Sequence, residues 1–176
     1  MQLKELFKVN LLLCNYIPMD TITLARIELL HPKLRAEAKE IYIAIYNALK
    51  GRAAVRFTHT LRTIAEQDAL YAQGRTKPGK KVTNAKGGQS YHNFGLAIDI
   101  CLIIDGKEAS WDTLKDYDGD KIADWMEAVA IFKSRGWEWG GDWAKFRDAP
   151  HFQKTFGKTT SQLKAMMKGS GYPAPL

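Results

Sequence analysis

The sequence predicts an α+β domain in which a small central antiparallel sheet is flanked by helices. Three observations carry that prediction. Residues 97–104 (AIDICLII) form an apolar, β-branched run of strand length whose only charge is Asp99. Asp105-Gly106-Lys107 follows at once, a tight turn suited to a hairpin. Residues 33–49 carry Leu34, Ala38, Ile41, Ile45, Ala48 and Leu49 at the spacing of one helix face.

The other elements follow in order. Residues 1–19 form an N-terminal extension. Its apolar run, 9–14, is short, is interrupted by Asn10 and lacks a small-residue cleavage site, so it is not a convincing signal peptide. Asp20 or Thr21 caps a short helix that reaches Leu30, and His31-Pro32 separates it from the helix of residues 33–49, which Gly51 ends. Residues 55–59 alternate as a strand. Thr63 is an N-cap with Glu66 as its capping-box partner, and that helix ends at Gly74. Arg62 thus sits at a strand-to-helix junction. Residues 75–89, rich in Lys, Gly and Pro, form a long loop of the kind that borders functional grooves. A helix over residues 122–135 carries Ile122, Met126, Val129, Ala130 and Phe132 toward the core and stops at Gly136. Residues 151–153 form a short strand, and residues 160–167 a last helix capped by Thr159 or Thr160. The Gly/Pro-rich residues 169–176 are expected to be a flexible tail. Residues 20–168 then make one domain, as a chain of 176 residues allows.

Composition narrows the function. With 45% apolar and 26% charged residues the chain is an ordinary globular protein, and it has no membrane-spanning run. The net charge of +7 favours anionic partners such as envelope polymers, but no Lys/Arg cluster is dense enough for a nucleic-acid arm. Cys14 and Cys101 lie in separate apolar contexts and read as buried thiols rather than a disulfide or a nucleophile.

The chemistry concentrates in two stretches. His92 and Asp99 flank Gly95, and His151 follows Asp148 and Pro150. Two imidazoles and a carboxylate form the three-ligand set of a catalytic zinc site, which leaves a fourth position for water. A lone carboxylate inside an apolar strand also calls for a partner or a metal. Asp148 would then be the carboxylate that takes a proton from the attacking water. From spacing alone, satisfied structural histidines remain an equal alternative. A third stretch, DYDGDKIADWME, sets Asp116, Asp118, Asp120, Asp124 and Glu127 at positions one, three, five, nine and twelve of a calcium-binding loop. However, Lys121 stands at position six, where glycine is usual. The alternative is a solvated acidic turn capping the helix that follows.

S-Y-H-N-F-G-L-A-I-D (residues 90–99) resembles the S-x-H-x-x-G-x-A-x-D signature of the zinc D-alanyl-D-alanine peptidase and L-alanyl-D-glutamate peptidase superfamily. D-A-P-H-F-Q (148–153) resembles its second signature, and residues 61–76, with Arg62 and Gln67, its arginine motif. The resemblance covers residues 26–157 and is closest to the branch of phage endolysins and bacterial autolysins. It implies a hedgehog-like fold with zinc held by His92, Asp99 and His151. It implies Asp148 as general base, in a position where many members carry Glu, and Arg62 as the stabiliser of the oxyanion. Ser90, Gln67 and Trp139 (or Trp143) are expected to meet substrate. The implied activity is endopeptidase cleavage of the L-alanyl–D-glutamate bond of peptidoglycan stem peptides by a monomer. A holin-type release would apply if the chain is phage-encoded and accumulates in the cytoplasm. A D,D- or L,D-carboxypeptidase and a non-catalytic zinc-stabilised module are the competing readings.

Overall fold

The computed structural model describes residues 20–167, 172–174 and 176. The N-terminal extension and Cys14 lie outside the described residues. Helices α1 (Thr21–Glu28) and α2 (Pro32–Ala48) lead into strand β1 (Ala53–His59) and helix α3 (Ile64–Ala72). After the long loop, a 3-10 turn (Tyr91–Phe94) delivers the chain to β2 (Ala97–Ile104) and β3 (Glu108–Ser110). Then come α4 (Asp124–Ser134), β4 (Glu138–Trp139), β5 (His151–Gln153) and α5 (Thr160–Met166).

The sheet is antiparallel, in the order β1-β2-β5-β4. One edge of β2 is shared: β5 pairs with its first half, Ala97 to Asp99, and β3 with its second half, Leu102 to Ile104. The period of two along a strand sorts side chains onto two faces. Ile98, Ile100, Leu102 and Ile104 enter one apolar cluster with Leu34, Ile41 and Ile45 of α2 and Trp125, Val129 and Phe132 of α4. Asp99 and Cys101 are left on the opposite face. The same rule governs β5. Phe152 stacks on Phe132 at 4.1 Å between centroids, so His151 and Gln153 turn the other way, toward Asp99.

Two expectations are corrected. The core face of α4 is Trp125, Ala128, Val129 and Phe132, whereas Ile122 and Met126 are exposed. The helix begins at Asp124, which leaves Ile122 in the preceding loop, and its buried stripe follows the i, i+3, i+4, i+7 spacing from Trp125. The described tail residues are docked rather than frayed. Pro173 is buried, its carbonyl accepts from His31 Nε2 at 3.0 Å, and Tyr172 Oη donates to the Leu29 carbonyl at 3.0 Å.

Asp20 joins the first helix to the sheet. It caps α1 by accepting from Thr23 N (3.1 Å) and Thr23 Oγ1 (2.7 Å), and it takes a two-pronged contact from Arg56 on β1, both bonds 3.0 Å. Burial works against its charge, but these bonds outweigh burial and hold the carboxyl below its ordinary 3.8. Asp20→Asn should cost about 1–3 kcal/mol at pH 7 in urea unfolding. Because the folded pKa is the lower one, that advantage is complete above the ordinary carboxylate range. It is lost as pH falls through and below it, so the gap between wild type and variant should shrink toward pH 3.

Candidate active site

His92 lies in the 3-10 turn, whose start Ser90 caps by accepting from His92 N. Gly95 closes the turn at φ +66, and a Cβ there would sit 2.7 Å from His31 N, so only glycine fits. The next strand carries Asp99. His151 is its cross-strand partner in register. The result is a triangle of atoms: His92 Nε2 is 3.0 Å from Asp99 Oδ1 and 3.2 Å from His151 Nδ1, and His151 Nδ1 is 3.1 Å from Asp99 Oδ1. Both imidazoles are buried.

The outer nitrogens define the chemistry of the inner ones. His92 Nδ1 faces the Thr60 carbonyl at 2.7 Å, and a carbonyl can only accept, so Nδ1 carries the hydrogen. Gln153 Nε2 donates to Glu138 Oε2 at 2.8 Å, which turns Gln153 Oε1 toward His151 Nε2 at 3.0 Å. That acceptor fixes the His151 hydrogen on Nε2. With both imidazoles neutral, His92 Nε2, His151 Nδ1 and the Asp99 oxygen therefore face one another as lone pairs, a set that repels itself unless a metal ion stands among them or a proton joins an imidazole to Asp99. Two ligands about 2.0 Å from a tetrahedral zinc are about 3.3 Å apart, close to the spacing observed. His92, Asp99 and His151 fit a bound zinc by this test. Burial disfavours charge on Asp99, yet the two imidazoles hold its carboxyl far below the ordinary range. Burial likewise opposes charge on His151, and the Asp99 carboxylate overrides it and raises that pKa.

The triangle opens into a cavity of about 990 Å³ lined by Arg62, Ser90, Asp148, Trp143 and the loop residues 81–85, among others. Arg62 NH2 is 3.8 Å from Asp99 Oδ2, and NH1 donates to Gln67 Oε1 at 2.9 Å. Asn93 Nδ2 donates to the Arg62 carbonyl at 2.9 Å, which ties the arginine junction to the histidine turn. Asp148 stands at the exposed rim, held by backbone bonds from its N–H to Gly140 O and from His151 N–H to its carbonyl. Gly140 permits this approach, since a Cβ would meet the Asp148 carbonyl at 2.5 Å. Partial desolvation, and then the charge of Asp99, push the Asp148 carboxyl above its ordinary range.

Two expected substrate contacts take other positions. Gln67 is fully buried and holds Arg62 while donating to the Ala85 carbonyl. Trp139 donates its indole N–H to the Ala149 carbonyl and covers Gly141, so it braces the loop before His151. Of Trp139 and Trp143, it is Trp143 that lines the cavity, tilted over His151 at 5.3 Å. Sequence reasoning missed the supporting groups Thr60, Asn93, Glu138 and Gln153. Of these, Gln153 could have been found, because it lies two residues beyond His151 and so on the same strand face.

Comparison with known proteins shows the family. The family described as D-alanyl-D-alanine carboxypeptidase matches residues 83–154. The peptidoglycan L-alanyl-D-glutamate endopeptidase CwlK of Bacillus subtilis (strain 168) is 47% identical over 126 residues, 70% of this chain and 72% of that protein. The L-alanyl-D-glutamate peptidase of Listeria phage A118 is 34% identical over 113 residues, 60% of this chain but 37% of the relative. The crystal structure of the Serratia marcescens L-Ala D-Glu endopeptidase ChiX shares the fold with a TM-score of 0.52 at 21% identity, covering 78% of this chain and 90% of that one. With a histidine–aspartate–histidine triangle on one face of its sheet and a relative this similar over most of its length, the chain belongs to the L-alanyl-D-glutamate peptidases of the D-alanyl-D-alanine carboxypeptidase family.

Proposed function

We propose that this protein is a zinc-dependent endopeptidase that hydrolyses the L-alanyl–D-glutamate bond of peptidoglycan stem peptides. The observation that carries the reading is the convergence of three acceptor atoms, from His92, Asp99 and His151, in a cavity that also exposes a carboxylate and a guanidinium. The names of the relatives supply the substrate class.

When bound, zinc supplies Lewis-acid activation of water and of the scissile carbonyl. His92, Asp99 and His151 would hold it, their orientation fixed by Thr60, Gln153 and Glu138. Asp148 accepts the proton of the attacking water and returns it to the leaving amine nitrogen as the C–N bond breaks. Arg62, steadied by Gln67, donates toward the negative charge that develops on the carbonyl oxygen. Ser90 and Trp143 line the space the stem peptide would fill. The excess of basic residues suits an anionic wall polymer, where the enzyme would act.

Digestion of purified peptidoglycan by the zinc-loaded protein, followed by mass spectrometry, tests the bond. New chains ending in L-alanine, with a matching free amine on D-glutamate, are expected. Release of terminal D-alanine with no alanine–glutamate cleavage would establish the carboxypeptidase reading instead.

A further inference from the structure

The acidic loop on the far side of β3 is not used by the reaction. We propose that residues 116–127 hold a calcium ion that clamps the start of α4 to the end of α2.

Carboxylate oxygens of Asp116, Asp118 and Asp124 lie within 4.8 Å of one another, as do those of Asp118, Asp120 and Glu127. Two of these side chains carry oxygens that nothing satisfies among the described residues. Asp124 is completely buried. Its Oδ2 accepts from Tyr117 N at 2.7 Å, but its Oδ1 has no partner among the described residues. Glu127 Oε2 is shielded from solvent and equally unpartnered. No Lys or Arg pairs with any of the five acids among the described residues. A buried carboxylate oxygen without a donor is costly, and a cation removes the cost. The crowding is visible in Glu127, whose pKa burial and the surrounding aspartates push up to about 7.

The donor set selects the ion. Carboxylate oxygens alone, at positions one, three, five, nine and twelve, suit a hard cation. That many protein oxygens suit calcium better than magnesium, which keeps most of its own water. The glycine expected at position six proves dispensable, because Lys121 adopts φ +76, the left-handed bend that glycine supplies in such loops. The loop is also anchored where a clamp would act. Asp118 Oδ2 accepts from Lys50 N at 3.1 Å just beyond α2, and Tyr117 Oη contacts Ser110 Oγ at 3.1 Å on β3, the residue before the cavity-lining Trp111.

The test uses the full chain loaded with zinc, so that the histidine centre is already filled. Calcium chloride is titrated by calorimetry, and melting is followed with and without it. One saturable calcium per chain is expected, with a rise in melting temperature of about 5–10 °C at a hundredfold excess over the dissociation constant. Asp118→Asn and Glu127→Gln should each remove most of that rise. Glu127→Gln relieves repulsion among the acids, so it should still melt cooperatively without calcium, which separates lost binding from lost folding. The absence of saturable heat and of any melting shift at millimolar calcium would overturn the proposal. So would a shift that survives in both variants, or a magnesium response as large as that of calcium.

Discussion

Asp148→Asn should lower the rate of wall hydrolysis by about 10²–10⁴-fold while leaving the zinc content of the protein unchanged. Asparagine keeps the size of the side chain and both backbone bonds that hold this position, from Asp148 N to Gly140 O and from His151 N to Asp148 O. It cannot take up a proton. The carboxyl is also separate from the triangle of His92, Asp99 and His151, so its loss should not disturb metal binding. Its raised pKa, caused by partial desolvation and by the Asp99 charge, makes it a better proton acceptor than a free aspartate. Metal analysis and wall-turbidity assays on the same preparation check both halves. Full activity in the variant would remove Asp148 from the reaction, and loss of zinc would move it into the metal site.

Removing the metal should abolish hydrolysis and destabilise the fold together, and zinc should restore both. The cause is the confrontation of three acceptors inside 3.2 Å, which without a metal only a proton shared between an imidazole and Asp99 would relieve, while the outer bonds to Thr60 and Gln153 stay in place. Dialysis against a chelator should lower the melting temperature by about 5–10 °C, since every bound ion favours only the folded chain. A graded series sharpens the test. Gln153→Met removes the acceptor that fixes the hydrogen of His151 and should weaken zinc affinity by about 10–100-fold, as loss of an outer partner does. His151→Ala removes a ligand and should weaken it further than that. Competition with a chromophoric chelator measures both. Equal affinity in the Gln153 variant and wild type would show that the relay through Glu138 does not orient the ring.

Much of this arrangement was legible in the residues. The β-branched run with one acid announced β2 and its odd carboxylate, and the Thr63–Glu66 pair announced the start of α3 that positions Arg62. What stayed hidden depends on distance or on the backbone. The Thr60 carbonyl has no side-chain signature. The docking of Tyr172 and Pro173 joins residues more than 140 positions from Leu29 and His31, so local composition gave only a flexible tail. The face of α4 was hard to read because the acidic loop runs to Ala123, so Ile122 lies outside the helix, and the buried stripe set by Trp125 excludes Met126. Among the three nearby tryptophans, aromatic content alone could not separate the brace, Trp139, from the cavity wall, Trp143.

The shared edge of β2 has a consequence for assembly. Two of the three candidate ligands sit seven positions apart, joined by the turn at Gly95, but the third comes from a three-residue strand 52 positions later. Closing that long a loop costs about 3.5 kcal/mol of chain entropy, offset by the pairing of β5 with β2 and β4 and by the stacking of Phe152 on Phe132. The centre is therefore incomplete in any chain that ends before His151, however well its first half has folded.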